Sequence, residues 1–388
     1  MKRNLPIISE ELQNYLTTLL GPDSKKNYLR KVTTPMEDYT LHVYDDLSQI
    51  EGILDYLENC GYKAQQHAVF PNIIVIEPKG PFELDLSNIQ KQIVVDNRAA
   101  EMIYQGSDIF VPGVKRANKV KRNDEIVVTS QQGINVAKAI SSMNHSDMLK
   151  AKKGVAAKNV LSPFQVPSVE QLDMHHLPIY FQSFPAYLAS VNLDPKPNDC
   201  ILDCCAAPGN KTIHLSELTK NQAKIVAVDR SKRRLQALID KIQRFKIQNI
   251  SIFAGNIIEL SKEWSQKFNK ILVDPPCTAL GLRPRLFFGL KLADIQSSAN
   301  YQKAILFACK KLLKEGGELL YSTCTITKEE NEEVIDYAIQ KLNFTIIEQR
   351  FRFSKKETSK EFEFPVQRFI PGKDRTIGYF IAKLRKRK

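Results

Sequence analysis

At 388 residues, 43% of them hydrophobic and 26% charged, the chain has the composition of an ordinary globular protein, not a fibrous or disordered one. It is long enough for two or three domains of roughly 100–200 residues each. The 56 basic against 43 acidic residues give a net charge of +13 and a pI near 9.2, which favours a polyanionic partner through phosphate neutralisation. No apolar run reaches the ~18 residues that a membrane span needs.

In chain order, Ser9–Leu20 has helical periodicity, and Thr40–Tyr44 and Asn72–Glu77 alternate as strands, so a small α+β unit is expected over residues 1–88. Gln92–Asp96 then reads as a strand, Asn97–Tyr104 as a short helix stopped by Gly106, and Asp108–Val111 and Glu125–Thr129 as further strands. Pro112-Gly113 supplies a turn between them, and this rhythm predicts a small β-barrel over 89–163. The Lys-rich stretch from Asn144 to Pro167 is expected to form the boundary, with Pro163 and Pro167 breaking regular structure.

Over 164–388, strands at Cys200–Asp203, Lys224–Val228, Ile250–Phe253, Lys270–Val273 and Glu318–Tyr321 alternate with helices at Thr212–Leu218, Lys232–Phe245 and Asn300–Leu313. Alternation of this kind predicts parallel βαβ units. A last strand is expected at Thr376–Lys383, followed by a basic tail, Arg385–Lys388, read as solvated.

Met1-Lys-Arg-Asn-Leu-Pro lacks the apolar stretch of a secretory signal. The seven cysteines include no Cys-x-x-Cys pair, so a reducing, cytoplasmic compartment is expected, with no zinc ribbon. His175-His176 has no acid or thiol at ligand spacing, and no metal site is expected. Phe287-Phe288 reads as core or target-pocket wall.

Three motifs carry chemistry. In Ile201-Leu-Asp-Cys-Cys-Ala-Ala-Pro-Gly-Asn-Lys-Thr212 a strand feeds a small-residue loop that opens a helix, whose N-terminal N–H groups suit an anionic ligand end. Asp229 ends the following strand, where such folds bind a ribose diol. The Gly-x-Gly-x-x-Gly spacing of dinucleotide binders is absent, and a nucleoside with a charged amino-acid tail, S-adenosylmethionine, fits the loop and the acid together.

The second motif, Asp274-Pro275-Pro276-Cys277, and the third, Ser322-Thr323-Cys324-Thr325, each deliver a thiol to the C-terminal end of a strand, the edge where open α/β sheets bind ligands. Alone, a cysteine is usually a small buried hydrophobe. Paired at that edge, the two suit cytosine chemistry: thiolate addition to C6 makes C5 nucleophilic enough to accept a methyl group, and a base must then remove the C5 proton.

These residues resemble the motifs of the Sun-domain (NSUN-type) RNA cytosine-C5 methyltransferases over residues 161–388, through Glu330-Asn-Glu-Glu333 and Gly378-Tyr-Phe-Ile-Ala382. The resemblance implies a Rossmann-like class I methyltransferase domain that uses S-adenosyl-L-methionine. It also implies that Cys324 is the nucleophile, that Cys277 is the product-release thiol, and that Asp274 and Lys211 act at the base. The implied cofactor residues are Cys205, Ala206, Ala207, Pro208, Gly209, Asn210, Lys211, Asp229, Arg234, Asn256 and Asp274. Asn210 stands where the family loop usually has a second glycine, and Asn256 where an acid usually meets the adenine.

Asp96–Val114 and Arg122–Val128 are similar to the PUA domain, an RNA-binding pseudo-β-barrel. A PUA domain inserted between a small N-terminal α+β segment and a Sun-type catalytic domain is the arrangement of the sixth NSUN subgroup. That resemblance implies methylation of a cytosine near the tRNA 3′ acceptor end, with the PUA domain gripping the CCA end, by an enzyme expected to be monomeric. Phe110, Lys115, Arg116, Lys119, Lys121 and Arg122 are the candidate RNA contacts. The alternatives are a C5-methyltransferase for another RNA (rRNA or mRNA), a DNA cytosine methyltransferase, a small-molecule or protein methyltransferase, and an RNA-binding protein with a relict catalytic fold.

Overall fold

The structure, a computed structural model, describes residues 5–169, 172–264, 267–353 and 365–387. Met1–Asn4 of the segment searched for a leader and Lys388 of the basic tail lie outside the described residues. No described helix is long and apolar enough to cross a membrane.

The largest sheet has the doubly wound, mostly parallel arrangement expected over 164–388. Its strands run in the order Ile250–Ala254, Lys224–Asp229, Cys200–Asp203, Phe268–Val273, Leu313–Thr323, Tyr379–Lys386 and Phe344–Ile347, with Gln367–Phe369 as a further partner of Tyr379–Lys386. The first five pair in parallel, and Tyr379–Lys386 runs antiparallel to Leu313–Thr323. The central strands Cys200–Asp203 and Phe268–Val273 are runs of Ile, Leu and Val that meet apolar clusters on both faces, which is what a parallel sheet covered by helices demands. Strand order reverses between these two, so the ligand crevice opens at their C-terminal ends.

A six-stranded sheet forms the expected barrel in the order Ile109–Phe110, Val155–Leu161, Asn135–Ser141, Glu125–Ser130, Gln92–Val95, Val114–Ala117. Here the expectation for the Lys-rich stretch is corrected. His145–Lys150 is a helix and Val155–Leu161 a strand between two others, because Ala156 and Ala157 turn into the barrel core while the lysines face out.

The N-terminal unit begins with helix Glu10–Leu20, capped by the Ser9 hydroxyl, which accepts from the Leu12 N–H at 3.3 Å. Its four-stranded antiparallel sheet, Ile179–Phe181, Tyr39–Val43, Ile73–Ile76 and Ala64–Gln66, takes one strand from beyond the barrel.

Three further differences have local causes. Helix Leu292–Leu312 begins earlier than expected, capped by Asp294, whose carboxylate accepts from the Lys291 N–H at 2.9 Å. The acidic run Lys328–Glu333, which reads in the sequence as a helix, is a turn through Asn331, and the helix starts at Glu332, because Glu330 is drawn into the interior. Arg385 and Lys386, expected in a solvated tail, end the strand Tyr379–Lys386, where they pair with Glu318 and Glu315 at 2.7 and 2.8 Å.

One loop, residues 277–288, touches all three units. The Tyr28 hydroxyl donates to the Leu280 carbonyl at 2.6 Å. The buried Arg283 guanidinium donates to the Lys31 and Pro35 carbonyls, both at 2.9 Å, and to Glu37 at 2.7 Å. Leu286 and Phe287 enter the barrel core, and the Leu286 N–H donates to Glu101 of the barrel helix at 2.9 Å, which settles Phe287 as core.

At its start the loop lies directly on Gly378: the Gly378 N–H donates to the Gly281 carbonyl at 2.7 Å, and the Gly281 N–H to the Cys324 carbonyl at 2.9 Å. A Cβ on Gly281 would lie 2.2 Å from the Gly378 carbonyl oxygen. Gly281→Ala is therefore expected to destabilise the protein by about 2–3 kcal/mol in denaturant titration. Gly52→Ala, on a helix with open space around the added methyl, should instead stabilise it by about 0.5–1 kcal/mol. Equal midpoints for the two variants would contradict the close approach.

Candidate active site

The crevice at the strand ends holds all four expected reactive residues. Phe268–Val273 delivers Asp274 and Cys277, Leu313–Thr323 delivers Ser322 and Cys324, and the first turn of helix Asn210–Leu218 delivers Lys211. The Cys277 and Cys324 sulfurs are 3.4 Å apart, and both residues are half-buried. Contact with Cys324, then burial, pushes the Cys277 thiol pKa well up, so Cys277 keeps its proton.

Asp274 is fixed through both oxygens. One pairs with the Lys211 ammonium at 2.7 Å; the other accepts from the Ser322 hydroxyl at 2.8 Å and the Tyr379 hydroxyl at 3.1 Å. Burial pulls the Lys211 pKa down, but the adjoining Asp274 carboxylate outweighs it and the ammonium is held above its ordinary value. Burial and then the Asp274 charge raise the Tyr379 phenol, which stays a neutral donor. The result is a half-buried ion pair of fixed orientation beside two thiols.

Glu330 sets the spacing of the thiols. Its buried carboxylate accepts from the Thr278 N–H at 2.9 Å, the Gln302 amide at 3.0 Å and the Thr327 hydroxyl at 2.9 Å, and also from the Thr278 hydroxyl. Thr278 follows Cys277, and its hydroxyl lies 2.9 Å from that of Thr325, which follows Cys324. The two cysteine loops are thus joined one residue beyond each thiol.

The loop Cys205–Lys211 wraps a cavity of about 220 Å³ that Asp203 and Asp274 also line. Gly209 is in the left-handed region at φ 106°, and a Cβ there would meet Leu238 at 2.7 Å, so the tight turn requires glycine. Asp229 accepts from the Ala207 N–H at 3.2 Å and the Ser231 N–H at 2.9 Å, while Arg234 donates to the Ala207 carbonyl at 2.5 Å and lies 3.6 Å from Asp229.

The two asparagines that depart from the family pattern have structural work here. The Asn210 amide donates to the Phe181 carbonyl at 2.8 Å, and the Asn256 side chain caps helix Ile257–Glu263 by accepting from the Ile258 N–H at 3.1 Å. On the barrel, Phe110, Lys115, Arg116, Lys119, Lys121 and Arg122 are exposed and far from the thiols in sequence; Lys115 pairs with Asp96 at 3.4 Å.

Residues 190–385 match the family described as 16S rRNA methyltransferase RsmB/F, and residues 91–160 match the PUA domain. The chain is similar over 98% of its length, and 98% of the relative's, to the tRNA (cytosine(72)-C(5))-methyltransferase of Pyrococcus horikoshii, at 34% identity. The chain belongs to the RsmB/F methyltransferase family. Its members use S-adenosylmethionine. Human tRNA (cytosine(72)-C(5))-methyltransferase NSUN6 is 26% identical, with 85% of this chain and 81% of that protein covered. Among solved structures, NSun6 from P. horikoshii with SFG, an analogue of that cofactor, superposes with a TM-score of 0.88 at 34% identity, covering 98% of each chain.

The crevice fits the cofactor at its amino-acid end. Asp203 is buried, its Oδ2 accepts from the Thr212 hydroxyl at 2.7 Å, and its Oδ1 has no partner among the described residues. A bare carboxylate oxygen lining this cavity would receive the cofactor's ammonium. Tyr379, Ser322, Asp203 and Glu330 went unassigned in the sequence; Asp203 had a signal, as an acid at a strand end directly before the loop.

Burial raises the Asp203 pKa from 3.8 to about 7, against the Thr212 hydrogen bond and the Lys211 charge, which lower it. Below that pH the carboxyl is protonated and must release its proton to receive a cation. Affinity for S-adenosylmethionine should therefore rise with pH, by up to about tenfold per unit below pH 7, and level off above it. Isothermal titration at several pH values measures this. Asp203→Asn should bind more weakly with a flat profile, whereas a wild-type profile already flat from pH 5.5 to 7 would remove Asp203 from the cofactor's ammonium.

Proposed function

We propose that this enzyme methylates carbon 5 of cytosine 72 of tRNA, with Cys324 as nucleophile and Cys277 as the thiol that releases the product. The observation that carries the reading is the thiol pair, 3.4 Å apart and bordered by the Lys211–Asp274 ion pair. The choice of tRNA rests on likeness along nearly the whole chain, barrel included, to the P. horikoshii enzyme.

Cys277 lies 3.4 Å from the Cys324 sulfur and its thiol is pushed well up, so it holds its proton, while the resemblance to the Sun-domain family makes Cys324 the attacking sulfur. Its attack on C6 drives electron density toward N3 and C5. The Asp274 carboxyl and Lys211 ammonium, locked by Ser322 and Tyr379, orient the edge of the base and compensate charge as it develops. Cys205–Lys211, Asp203, Asp229, Arg234 and Asn256 would hold S-adenosylmethionine, which when bound supplies an electrophilic methyl group. Once C5 carries the methyl and the Cys324 sulfur is bonded to C6, Cys277 gives its thiol proton to solvent and as the thiolate takes the C5 proton; the electron pair of that C–H bond forms the C5–C6 double bond and expels the Cys324 sulfur as a thiolate, which restores the aromatic ring.

We assign residues 1–88 to the N-terminal α+β segment, 89–163 to the PUA domain and 164–388 to the catalytic domain of a monomer. Phe110 and the basic residues Lys115, Arg116, Lys119, Lys121 and Arg122 give the barrel an exposed aromatic and a positive stretch suited to the acceptor stem and CCA end.

Transfer of labelled methyl to tRNA transcripts, with bisulfite mapping, tests the reading. Methylation is expected at cytosine 72, should disappear in a transcript with uridine there, and should weaken when the CCA end is removed. Cys324→Ala should lose about 10³-fold or more. Methylation of ribosomal RNA with tRNA left untouched would overturn the choice of substrate.

A further inference from the structure

A second cluster of reactive side chains lies at the seam between the N-terminal sheet and the helix that carries Lys211. His42 is the fourth of the five residues of strand Tyr39–Val43 and fully buried. His214 and Glu217 sit one turn apart on helix Asn210–Leu218, His214 fully buried and Glu217 with 13% of its side chain exposed. One ligand atom from each of the three lies within 4.8 Å of the others. The rings are tightly enclosed: Tyr187 stacks on His214 at 4.4 Å, Tyr180 lies 4.6 Å from His42, and the two imidazoles meet edge to face at 4.6 Å.

The cluster is incompletely satisfied. The Glu217 Oε2 is 2.8 Å from the His42 Nε2, and the Asn72 amide nitrogen is 2.9 Å from that same Nε2. These contacts account for one side of His42. Both ring nitrogens of His214, the Nδ1 of His42 and the Tyr180 hydroxyl have no hydrogen-bond partner among the described residues. Native interiors rarely leave a buried imidazole with neither nitrogen engaged. An ion pair between His42 and Glu217 leaves that feature unexplained.

We propose that His42, His214 and Glu217 bind a divalent transition-metal ion of the zinc class, separate from the catalytic thiols. Two imidazoles and one carboxylate form a donor set that zinc favours, and a helical pair three residues apart with a third ligand from a facing strand is a geometry that suits it. Around a tetrahedral ion with bonds of about 2.0–2.1 Å, ligand atoms stand about 3.3 Å apart. The 2.8 Å contact between Glu217 and His42 therefore opens by about half an ångström, and the longest separation in the cluster closes. Rotation of the Glu217 and His214 side chains supplies both changes. Tyr180 or a water completes the coordination. The bound ion clamps strand Tyr39–Val43 to the helix whose first turn carries Asn210 and Lys211, and so rigidifies the floor of the cofactor loop.

The test uses the full-length protein, stripped with a chelator, incubated with Zn²⁺ alone, dialysed and assayed for metal by mass spectrometry. The wild type should retain one zinc per chain and melt at a higher temperature with zinc than without. Because His214→Ala opens a hole in the core, Glu217→Gln and His42→Gln are the primary variants. Each should weaken zinc binding by more than the ~10–100-fold that losing an outer-shell partner alone costs. Cys277→Ala and Cys324→Ala should retain the ion, and Co²⁺ in its place should show no thiolate charge-transfer band. No retained zinc and no thermal shift in the wild type overturns the proposal, as does zinc held by Glu217→Gln and lost from the cysteine variants.

Discussion

The two-thiol site depends on one buried carboxylate. Glu330 is fully buried, in a turn that would otherwise continue as helix, and its oxygens gather donors from Thr278, Gln302 and Thr327. A carboxylate in an apolar interior is stable only where such donors surround it, so the network holds together as a unit or not at all. Because Thr278 follows Cys277 and meets Thr325, which follows Cys324, the network sets the separation of the sulfurs. Gln302 also donates to the Pro276 carbonyl at 3.0 Å, tying the long helix Leu292–Leu312 to the same loop. The division of labour we propose for two cysteines from different strands requires that neither drifts, and Glu330 holds the two loops together.

From Cys277 the same loop runs outward to the rest of the molecule. Gly281 lies against Gly378, Arg283 fastens the N-terminal helices through their carbonyls and Glu37, and Leu286 and Phe287 enter the barrel core. The product-release thiol we assign is therefore ten residues from a side chain that packs inside the RNA-binding unit. This one loop therefore connects the barrel core to the Cys277 thiol. Arg283 is the rigid point on that route, since a buried guanidinium with so many acceptors has few other arrangements.

Much of this was legible in the sequence, because strand ends and motif residues are local features. Asp274 and Cys277 follow an apolar run, Cys324 follows another, and Lys211 opens a helix after a small-residue loop; all four meet where the sheet order reverses. What was not legible depended on contacts distant in sequence. Tyr379 reaches Asp274 only because its strand folds back antiparallel beside Leu313–Thr323, and Glu330 looks like one more acid in a charged run until Thr278 is brought to it. The strand Val155–Leu161 was hidden by Lys158 and the lysines that precede it, whose polarity outweighed two small buried alanines in the pattern. Asn210 and Asn256 stood out only as departures from the family pattern, and the partners that employ them lie on another element or at a helix start.

The central claim is that the two thiols have different jobs, and trapping on RNA tests it most directly. Incubation of Cys277→Ala with tRNA and S-adenosylmethionine should accumulate a covalent protein–RNA species, stable to denaturing electrophoresis and attached through Cys324. Cys324→Ala should form no adduct and transfer no methyl group. If Cys277→Ala instead turns over freely while Cys324→Ala traps RNA through Cys277, the roles are reversed and the account is contradicted.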